Sequence, residues 1–361
     1  MRIALISLAN LYLCPYINKY LEVVRDRAEF DVIYWDRHRV KESVSGVRQM
    51  YAYHAPMDEM LPRWKKLLRM IGFCRYARKL ITDNHYDGVV ILHTNAAILL
   101  HRTLEKYYKG RFILDIRDYS MEKNPVYFRI EERLVKISAV NFISSDGYRA
   151  FLPEASYHLV HNSTHIDPAF VQEFRKTRQD RKEPIRISFI GLIRFFDQNE
   201  KLASAFQNDD RFQLNYFGKN AENLKKRLAA KQFKNLEFHD QFPPEQTLDF
   251  YQKTDIINNA YGNQNMSLDY AYSNKLYYSA ILGLPILVSP KTCMADIVTK
   301  YQLGFVFDPD DKEAPEKLYA YYTSIDWAQF DKNCAEFCRM VEKDELEFQQ
   351  ILKRFLSGGA E

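Results

Sequence analysis

The sequence lacks the short glycine motifs that mark several large enzyme classes. Only 12 of its 361 residues are glycine, and no two of them are separated by a single residue. Neither the dinucleotide fingerprint nor a Walker loop is therefore present. The G-x-S-x-G elbow and the H-E-x-x-H helix are also missing. These absences exclude dehydrogenases, P-loop kinases and the common hydrolase and zinc-protease classes.

Cysteine is scarce, and no apolar run is long enough to cross a bilayer. The five cysteines are scattered and odd in number, which indicates reduced thiols rather than a disulfide framework. No apolar stretch approaches the roughly 20 residues of a membrane span. Asn10 and Pro15 interrupt the first apolar run before it could form the core of a signal peptide. The sequence therefore predicts a cytoplasmic protein.

Charge of one sign is not in large excess. The chain has 51 basic and 47 acidic side chains, for a formal net charge of +4, so we predict no nucleic-acid partner. No cluster of carboxylates suggests a metal, and His161 and His165 lie four apart in a segment whose Asn, Ser and Asp-Pro residues favour a turn. We therefore predict no metal and no cofactor.

What the sequence does contain is a repeated alternation of short, β-rich apolar runs with stretches long enough for helices. The runs are continuous rather than alternating, which indicates strands buried on both faces of a parallel sheet. They fall into two series, at residues 3–8, 30–35, 88–93, 111–116 and 139–144, and at residues 185–191, 212–218, 236–240, 255–261, 285–289 and 304–308.

A basic segment with little apolar periodicity, residues 165–184, separates the two series. We predict an N-terminal domain over residues 1–164, a linker over 165–184, a second domain over 185–325 and a C-terminal helical segment over 326–361. The predicted fold class is α/β, with two Rossmann-like domains. Open α/β sheets bind ligands at the carboxyl ends of their strands, so we expect the two parallel sheets to face each other across a ligand-binding cleft.

Two stretches of the second half have a distinctive order of strands, turns and helices. The first extends from Leu236 to Ser289 and includes YSNKLYYSAILGLPILVS, in which Gly283 and Pro285 occupy the turn between a helix and a buried strand. The second is ISFIGLIRFFDQNEKLASAF, residues 187–206, with a glycine turn after its first strand. Both stretches resemble the nucleotide-sugar domain of GT-B glycosyltransferases of family 4, and the resemblance is strong over residues 185–308 and weaker before them.

The resemblance implies a donor site that binds a nucleoside diphosphate sugar. Its residues would be Gly191 and Arg194 in the glycine turn and Asn274 and Lys275 at the start of a helix, where backbone N–H groups and the helix dipole favour a diphosphate. In many members a glutamate holds the donor ribose, and here that position is Tyr278. The donor and the stereochemical outcome therefore cannot be transferred from the family.

The first half resembles the family's acceptor domain more loosely. The run DIRDYS, residues 115–120, is similar to the junction that faces the acceptor in related polysaccharide enzymes, and it makes Asp118 a candidate base or orienting group. His93 ends another predicted strand and is a candidate contact to the donor sugar or the acceptor. For Asp118 the alternative is an ion pair at a strand end, and for His93 a structural role.

A basic segment, residues 61–81, contains seven Lys or Arg and no acidic residue. Its residues Leu61, Trp64, Leu67, Leu68 and Ile71 fall on one face of a helix. Such a helix can lie on an anionic bilayer, although it could also pack on a core with a solvated basic face. We favour peripheral contact with the inner face of the cell membrane.

Together these features predict a glycosyltransferase of the hexosyltransferase type. It would move a sugar from a nucleoside diphosphate sugar to a hydroxyl of a surface or capsular polysaccharide or of a lipid-linked glycan. Two alternatives remain open, namely a nucleotide-sugar epimerase of the same fold and a non-catalytic partner subunit of a glycosyltransferase.

Overall fold

Two parallel sheets organise the chain. The computed structural model describes residues 1–24, 28–57, 61–178 and 183–358. The first unit contains Met1–His161 and the chain from Lys343 onward, and the second contains Asn162–Glu342. Each unit has its own sheet and its own hydrophobic core.

The first unit contains a seven-stranded parallel sheet in the order β3-β2-β1-β4-β5-β6-β7. Its interior strands β1, β4, β5 and β6 are almost wholly buried, because helices cover both faces of a parallel sheet. The strands are β1 (Arg2–Ser7), β2 (Glu29–Asp36), β3 (Gln49–His54), β4 (Gly88–Ile91), β5 (Phe112–Ile116), β6 (Val140–Ile143) and β7 (His158–Leu159).

Four helices of this unit connect successive strands. They are α1 (Ile17–Val24), α2 (Arg63–Asp83), α3 (Thr94–Tyr107) and α4 (Pro125–Ile137). Helix α4 begins where a proline follows a capping asparagine: Asn124 Oδ1 accepts hydrogen bonds from the N–H groups of Val126 and Tyr127.

The second unit contains a six-stranded parallel sheet in the order β10-β9-β8-β11-β12-β13. Both sheets therefore reverse their strand order once, between β1 and β4 in the first unit and between β8 and β11 in the second. The strands are β8 (Ile185–Ile190), β9 (Phe212–Phe217), β10 (Leu236–His239), β11 (Ile256–Asn259), β12 (Ile286–Val288) and β13 (Gly304–Val306).

The helices of the second unit follow the same alternation. They are α5 (Pro168–Thr177), α6 (Phe196–Ala205), α7 (Ala221–Leu228), α8 (Thr247–Gln252), α9 (Met266–Asp269), α10 (Asn274–Leu282), α11 (Cys293–Lys300) and α12 (Ala314–Thr323). A last helix, α13 (Trp327–Leu356), contributes to both units. Phe330 and Phe337 of its first half are buried in the core of the second unit, and Phe348 and Leu352 of its second half in the core of the first.

All eleven predicted strand runs contain a strand, and the predicted pair of parallel α/β sheets is confirmed. Two strands lack the signal that identified the others. Strand β3 lies at an edge and its residues are only partly buried, so its sequence QMYAYH has no continuous apolar run. Strand β7 has only two residues.

The structure differs from the predicted boundaries in two places. The segment predicted as a linker contains α5, whose Phe174 is buried in the core of the second unit, and Arg178, which donates to the carbonyl of Gly283 at 2.7 Å. Residues 179–182 of that segment lie outside the described residues. The predicted C-terminal segment is divided between the two units at Lys343. Its continuous 3.6-residue apolar periodicity gave no sign of that division.

Candidate functional sites

The first candidate site lies at the carboxyl edge of the second unit's sheet, where the strand order reverses between β8 and β11. Loops that leave two neighbouring strands at such a point go to opposite faces of the sheet and leave a crevice between them. The loop after β8 contains Gly191 and Arg194, and the loop after β11 contains Tyr261. The start of α10 brings Lys275 to the same place.

Lys275 is the centre of this site. Lys275 as a whole is only 8% exposed, and its ammonium donates a hydrogen bond to Tyr261 Oη at 2.6 Å. The same Nζ lies 4.3 Å from the centroid of the Phe189 ring and 5.3 Å from that of Tyr261. Among the described residues no carboxylate lies within ion-pair distance of it. A cation this buried without a counter-charge is unusual, because desolvation of an unpaired charge is costly.

Helix α10 begins as the sequence predicts. Ser273 is the N-cap, and its Oγ accepts a hydrogen bond from the N–H of Lys275 at 3.3 Å. Asn274 is the first helical residue and is exposed. The helix ends at Gly283, whose φ of +68° is the left-handed conformation that suits a glycine cap. The N–H of Leu276 donates to the Ser273 carbonyl, which leaves the N–H of Asn274 without a partner among the described residues.

The glycine turn after β8 is tightly packed against a second glycine turn, after β9. Gly191 has a φ of +117°, and a Cβ built on it would meet nothing within 4 Å. Gly218 has a φ of +132°, and a Cβ built on it would lie 2.1 Å from the Gly191 carbonyl oxygen. Gly218 is thus needed so that the Gly191 backbone can take its position. In the sequence, the only sign of this role is that Gly218 ends the apolar run FQLNYFG.

Arg194 lies in the loop between Gly191 and α6 and is exposed. Among the residues that the structure describes, its guanidinium has no hydrogen bond or ion pair. The adjacent ring of Phe195 contacts Tyr261, with centroids 5.7 Å apart, so this loop adjoins the group around Lys275. Lys201, further along in α6, instead pairs with Asp310 at 3.0 Å.

Tyr278 is one turn after Asn274 on α10 and is partly buried. Its ring stacks on Tyr251, with centroids 4.6 Å apart and an interplanar angle of 20°. Burial raises the pKa of the Tyr278 hydroxyl, and a hydrogen bond with Thr164 opposes that shift. At neutral pH the residue is therefore a neutral hydroxyl where the resembling family has a carboxylate.

Two further groups at this edge carry no signal in the sequence alone. Tyr261 links Lys275 to the loop after β8, and it could have been noticed only as the aromatic residue that ends the run DIINNAY. Asn259, the last residue of β11, is 4% exposed, and its Oδ1 has no hydrogen-bond partner within the described residues. A buried amide oxygen without a partner can accept a hydrogen bond from a ligand hydroxyl.

The second candidate site lies at the equivalent point of the first unit, where the strand order reverses between β1 and β4. His93 follows β4, and its Nδ1 accepts a hydrogen bond from the backbone N–H of Leu8, just after β1, at 3.3 Å. Burial, with further contributions from the charges of Arg37 and Arg117, lowers the pKa of His93 to about 3. His93 is thus a neutral imidazole, and because Nδ1 accepts, its proton is on Nε2.

Asp118 lies two residues beyond the end of β5 and is exposed at the same edge of this sheet. Arg117, the charged residue directly before Asp118, is buried instead. Arg117 makes a two-pronged ion pair with buried Asp115, at 2.6 and 2.8 Å, and its guanidinium lies 4.1 Å from the centroid of the Tyr16 ring. An ion pair at this strand end thus joins Arg117 to Asp115.

The basic segment of residues 61–81 forms most of α2. Its C-terminal half is anchored by Phe73, Cys74 and Ala77, which are buried. In its N-terminal half Trp64 and Leu68 are 59% and 58% exposed. No helix among the described residues has the length and apolar character that a membrane crossing requires, and no group of three or more His, Cys, Asp or Glu side chains in that part of the chain could hold a metal ion.

Comparison with solved structures identifies the architecture. The chain superposes on sucrose-phosphate synthase from Thermosynechococcus elongatus with a TM-score of 0.75 at 13% identity, covering 99% of this chain and 100% of that one. HepE from Anabaena, solved in complex with UDP, matches with a TM-score of 0.65 at 11% identity over 98% of this chain and 100% of that one. The lipopolysaccharide outer core galactosyltransferase WaaB matches with 0.65 at 12% identity over 99% of each chain.

These matches confirm the predicted GT-B fold class over the whole chain. They establish the fold alone, since fewer than one residue in seven is identical. No protein-family model matches the sequence, and no curated protein matches it.

Proposed function

We propose that this protein transfers a sugar from a nucleoside diphosphate sugar to a hydroxyl of a polysaccharide or lipid-linked glycan. The observation that carries the proposal is the Lys275 ammonium, which is nearly buried, leans on aromatic rings and has no carboxylate partner among the described residues. It lies at the topological switch point where α/β sheets bind ligands. Solved structures of the same fold include HepE bound to UDP and to UDP-glucose.

A bound diphosphate would supply the negative partner that the Lys275 ammonium lacks among the described residues. In sugar transfer the bond between the sugar C1 and the diphosphate oxygen breaks, and a new bond forms between C1 and the acceptor oxygen. Negative charge develops on the leaving diphosphate, so cations and N–H donors held there stabilise the transition state. Lys275, the first turn of α10 at Asn274 and the exposed fork of Arg194 would supply that stabilisation.

The remaining donor-side residues have steric and hydrogen-bonding roles in this proposal. Gly191, with no Cβ, lets the backbone approach the phosphates closely. The unpartnered Asn259 Oδ1 would accept a hydrogen bond from a donor hydroxyl. Tyr278 has one hydroxyl oxygen where a carboxylate has two, so it would form a single hydrogen bond with the nucleotide, as donor or as acceptor.

In the first unit, His93 and Asp118 divide the acceptor-side chemistry. His93 carries its proton on Nε2 and stays neutral, so it would donate a hydrogen bond to a sugar oxygen rather than remove a proton. Asp118 is exposed at the carboxyl edge and would orient the acceptor hydroxyl or, if the reaction inverts configuration, accept its proton.

Calorimetric titration of UDP and UDP-glucose into the full-length protein and into Lys275→Met tests the donor site. A charge-assisted hydrogen bond contributes about 1.5–3 kcal/mol, so we expect a loss of UDP affinity of roughly 10- to 100-fold. Lys300→Met is the matched control: Lys300 also leans on a tyrosine ring, Tyr301 at 5.0 Å, but it is exposed and lies at the C-terminal end of α11. Equal affinity of the Lys275 variant and the wild type would contradict the proposal.

Product analysis distinguishes the two remaining alternatives. An epimerase converts a UDP-sugar with no acceptor present, whereas a transferase needs the acceptor or, slowly, water. A non-catalytic subunit, which the tyrosine at position 278 keeps open, would bind nucleotide but neither hydrolyse nor transfer the sugar. Transfer or hydrolysis that is lost in Lys275→Met would exclude the subunit.

We also propose that the N-terminal half of α2 contacts the inner face of an anionic membrane. The exposed apolar side chains of Trp64, Leu67 and Leu68 are interleaved with Lys65 and Lys66, and the helix has no acidic residue before Asp83. Apolar side chains enter the interface while each cation near the surface adds about 1 kcal/mol of attraction. A membrane position would bring the protein to a lipid-linked acceptor.

Co-sedimentation with phosphatidylcholine vesicles, with and without phosphatidylserine, tests the membrane contact. Binding should require phosphatidylserine, decrease at high salt and be lost when Lys65 and Lys66 are both replaced by Glu. The paired change of Lys225 and Lys226 to Glu on α7 removes the same charge from a helix without an exposed apolar cluster, so it should leave binding unchanged. Equal losses in both pairs would reject α2 as the contact.

A further inference from the structure

Arg37 lies at the carboxyl edge of the first unit's sheet, and no described residue forms an ion pair with it. It directly follows β2, and its backbone N–H donates to Asn10 Oδ1 at 2.9 Å. Its guanidinium carbon lies 4.5 Å from the centroid of the Trp35 ring. Its Nε is buried and has no hydrogen-bond partner within the described residues. No carboxylate in that part of the chain pairs with the guanidinium.

The two carboxylates nearest in this loop are already engaged. Asp36 is 1% exposed, and it accepts hydrogen bonds from Asn10 Nδ2 at 3.0 Å and from His54 Nδ1 at 2.8 Å. Glu42 accepts from the same Asn10 Nδ2 at 2.9 Å and from the backbone N–H of Tyr12 at 2.8 Å. These two acids are therefore bound by donors other than the Arg37 guanidinium.

This arrangement is unfavourable for the folded chain alone. Burial lowers the pKa of Arg37. The buried Nε–H loses its hydration without gaining an acceptor among the described residues, and the face of Trp35 replaces that hydration only in part. Such uncompensated groups concentrate at functional sites, where a ligand completes them.

Arg37 is also close to the candidate site on the first unit. It follows β2, and β2 neighbours β1, whose following residue Leu8 donates to His93. Its charge is near enough to lower the pKa of His93. A ligand held by Arg37 would therefore lie beside the Nε2–H donor of His93, at the point where the strand order reverses.

We propose that Arg37 binds an anionic group, a phosphate monoester or a carboxylate, on the sugar that accepts the transferred residue. A guanidinium presents a planar fork that matches two oxygens of either group. The identification of this ligand as the acceptor rests on the proposed function, whereas the proposal of an anion site at Arg37 does not. The substrate class assigned to the first unit is thus an acidic sugar rather than a neutral one.

Calorimetric titration of the full-length protein without any nucleotide tests the site. The probes are glucose 6-phosphate, glucuronate, neutral glucose and inorganic phosphate. Glucose 6-phosphate or glucuronate should bind at least about tenfold more tightly than glucose, and the bound anionic sugar should weaken by a similar factor in Arg37→Met. Lys41→Met, in the same loop and exposed, is the control and should bind like the wild type.

Stability separates a binding role from a structural one. Since Arg37 has no ion pair with any described residue, we expect Arg37→Met to melt at or above the wild-type temperature. Arg37→Lys, which keeps the charge and the Trp35 contact but loses the planar fork of the guanidinium, should bind with intermediate affinity. The proposal is overturned if no anionic sugar binds, if glucose binds as tightly, if Arg37→Met binds like the wild type or if it melts lower. Inorganic phosphate that binds as tightly as glucose 6-phosphate would overturn the assignment to a sugar. UDP binding that remains while these tests fail would leave the proposed function standing.

Discussion

Glu131 makes the stability of the first unit depend on pH in a way that can be calculated. It lies on α4 and is 0% exposed, and neither of its carboxyl oxygens has a hydrogen-bond partner within the described residues. Burial, with a further contribution from the Glu122 charge, raises the pKa of Glu131 from 4.5 to about 8. The folded protein therefore holds a proton on Glu131 at neutral pH, while the unfolded chain has released it.

The sign of the effect follows from proton linkage. Between pH 4.5 and 8 the folded state binds one proton more at this site, so the free energy of unfolding falls as the pH rises. The stabilising contribution is complete below the unfolded pKa and is lost as the pH passes the folded pKa of about 8. At about 1.4 kcal/mol per pH unit, the loss approaches roughly 5 kcal/mol, a large part of a domain's stability.

Glu131→Gln should remove this pH dependence, because glutamine has the shape of the protonated acid and no charge. The difference in unfolding free energy between the variant and the wild type should grow by about 1.4 kcal/mol per pH unit from pH 5 to pH 8 in favour of the variant. The constant cost of an unpartnered amide cancels in that comparison. Urea unfolding followed by the fluorescence of Trp35 and Trp64 reports on the first unit, in a Trp327→Phe background that removes the tryptophan of the second.

Glu132→Gln is the matched control. Glu132 is the next residue on α4, but it is solvent-accessible and pairs with Lys136 at 2.7 Å, which lowers its pKa. Its variant should follow the wild-type pH profile above pH 5. If the Glu131 variant and the wild type keep a constant difference from pH 5 to pH 8, Glu131 is not protonated in the folded state and the argument from burial is refuted.

Three further predictions follow from single contacts. Gly218→Ala should lower the melting temperature much more than Gly46→Ala, because both have positive φ but only the first places a Cβ 2.1 Å from a carbonyl oxygen; equal losses would show that strain in φ alone decides. In NMR titrations the His93 ring signals should stay constant from pH 5 to pH 8, since its pKa is lowered to about 3, and a midpoint near neutrality would contradict the Leu8 hydrogen bond. Iodoacetamide at pH 8 should not label Cys74 in the folded protein, because burial raises its pKa to about 12; mass spectrometry that finds it modified as fast as in urea would reject this.

The strands could be predicted because parallel strands buried on both faces have continuous apolar sequences. The edge strand β3 escapes this signal, as its residues are half-exposed and need no apolar run. The segment around Phe174 was expected to be a linker because it is rich in charged residues. It contains a short helix, but that helix buries too few apolar residues to give a periodic pattern. Sequence thus indicates strongly buried elements, and it misses those that pack with one or two side chains.

The candidate residues were predicted less completely than the fold. Their positions at strand ends and helix starts follow from the alternation of elements, which is why Gly191, Lys275 and His93 all lie at the carboxyl edges. Their partners could not be predicted, since they come from distant parts of the chain: Tyr261 reaches Lys275, and Leu8 reaches His93.

The availability of a cation to a ligand is the property that the structure adds to the sequence. Arg117 and Arg186 are both neutralised by buried aspartates through two-pronged ion pairs, so a ligand would have to displace a carboxylate to bind them. Lys275 and Arg37 instead pack their cationic groups against aromatic rings. A ring stabilises a cation without cancelling its charge, so the full charge remains for an incoming anion. Each of these two residues lies at the carboxyl edge of its own sheet, which is where we propose that the two units bind anionic groups.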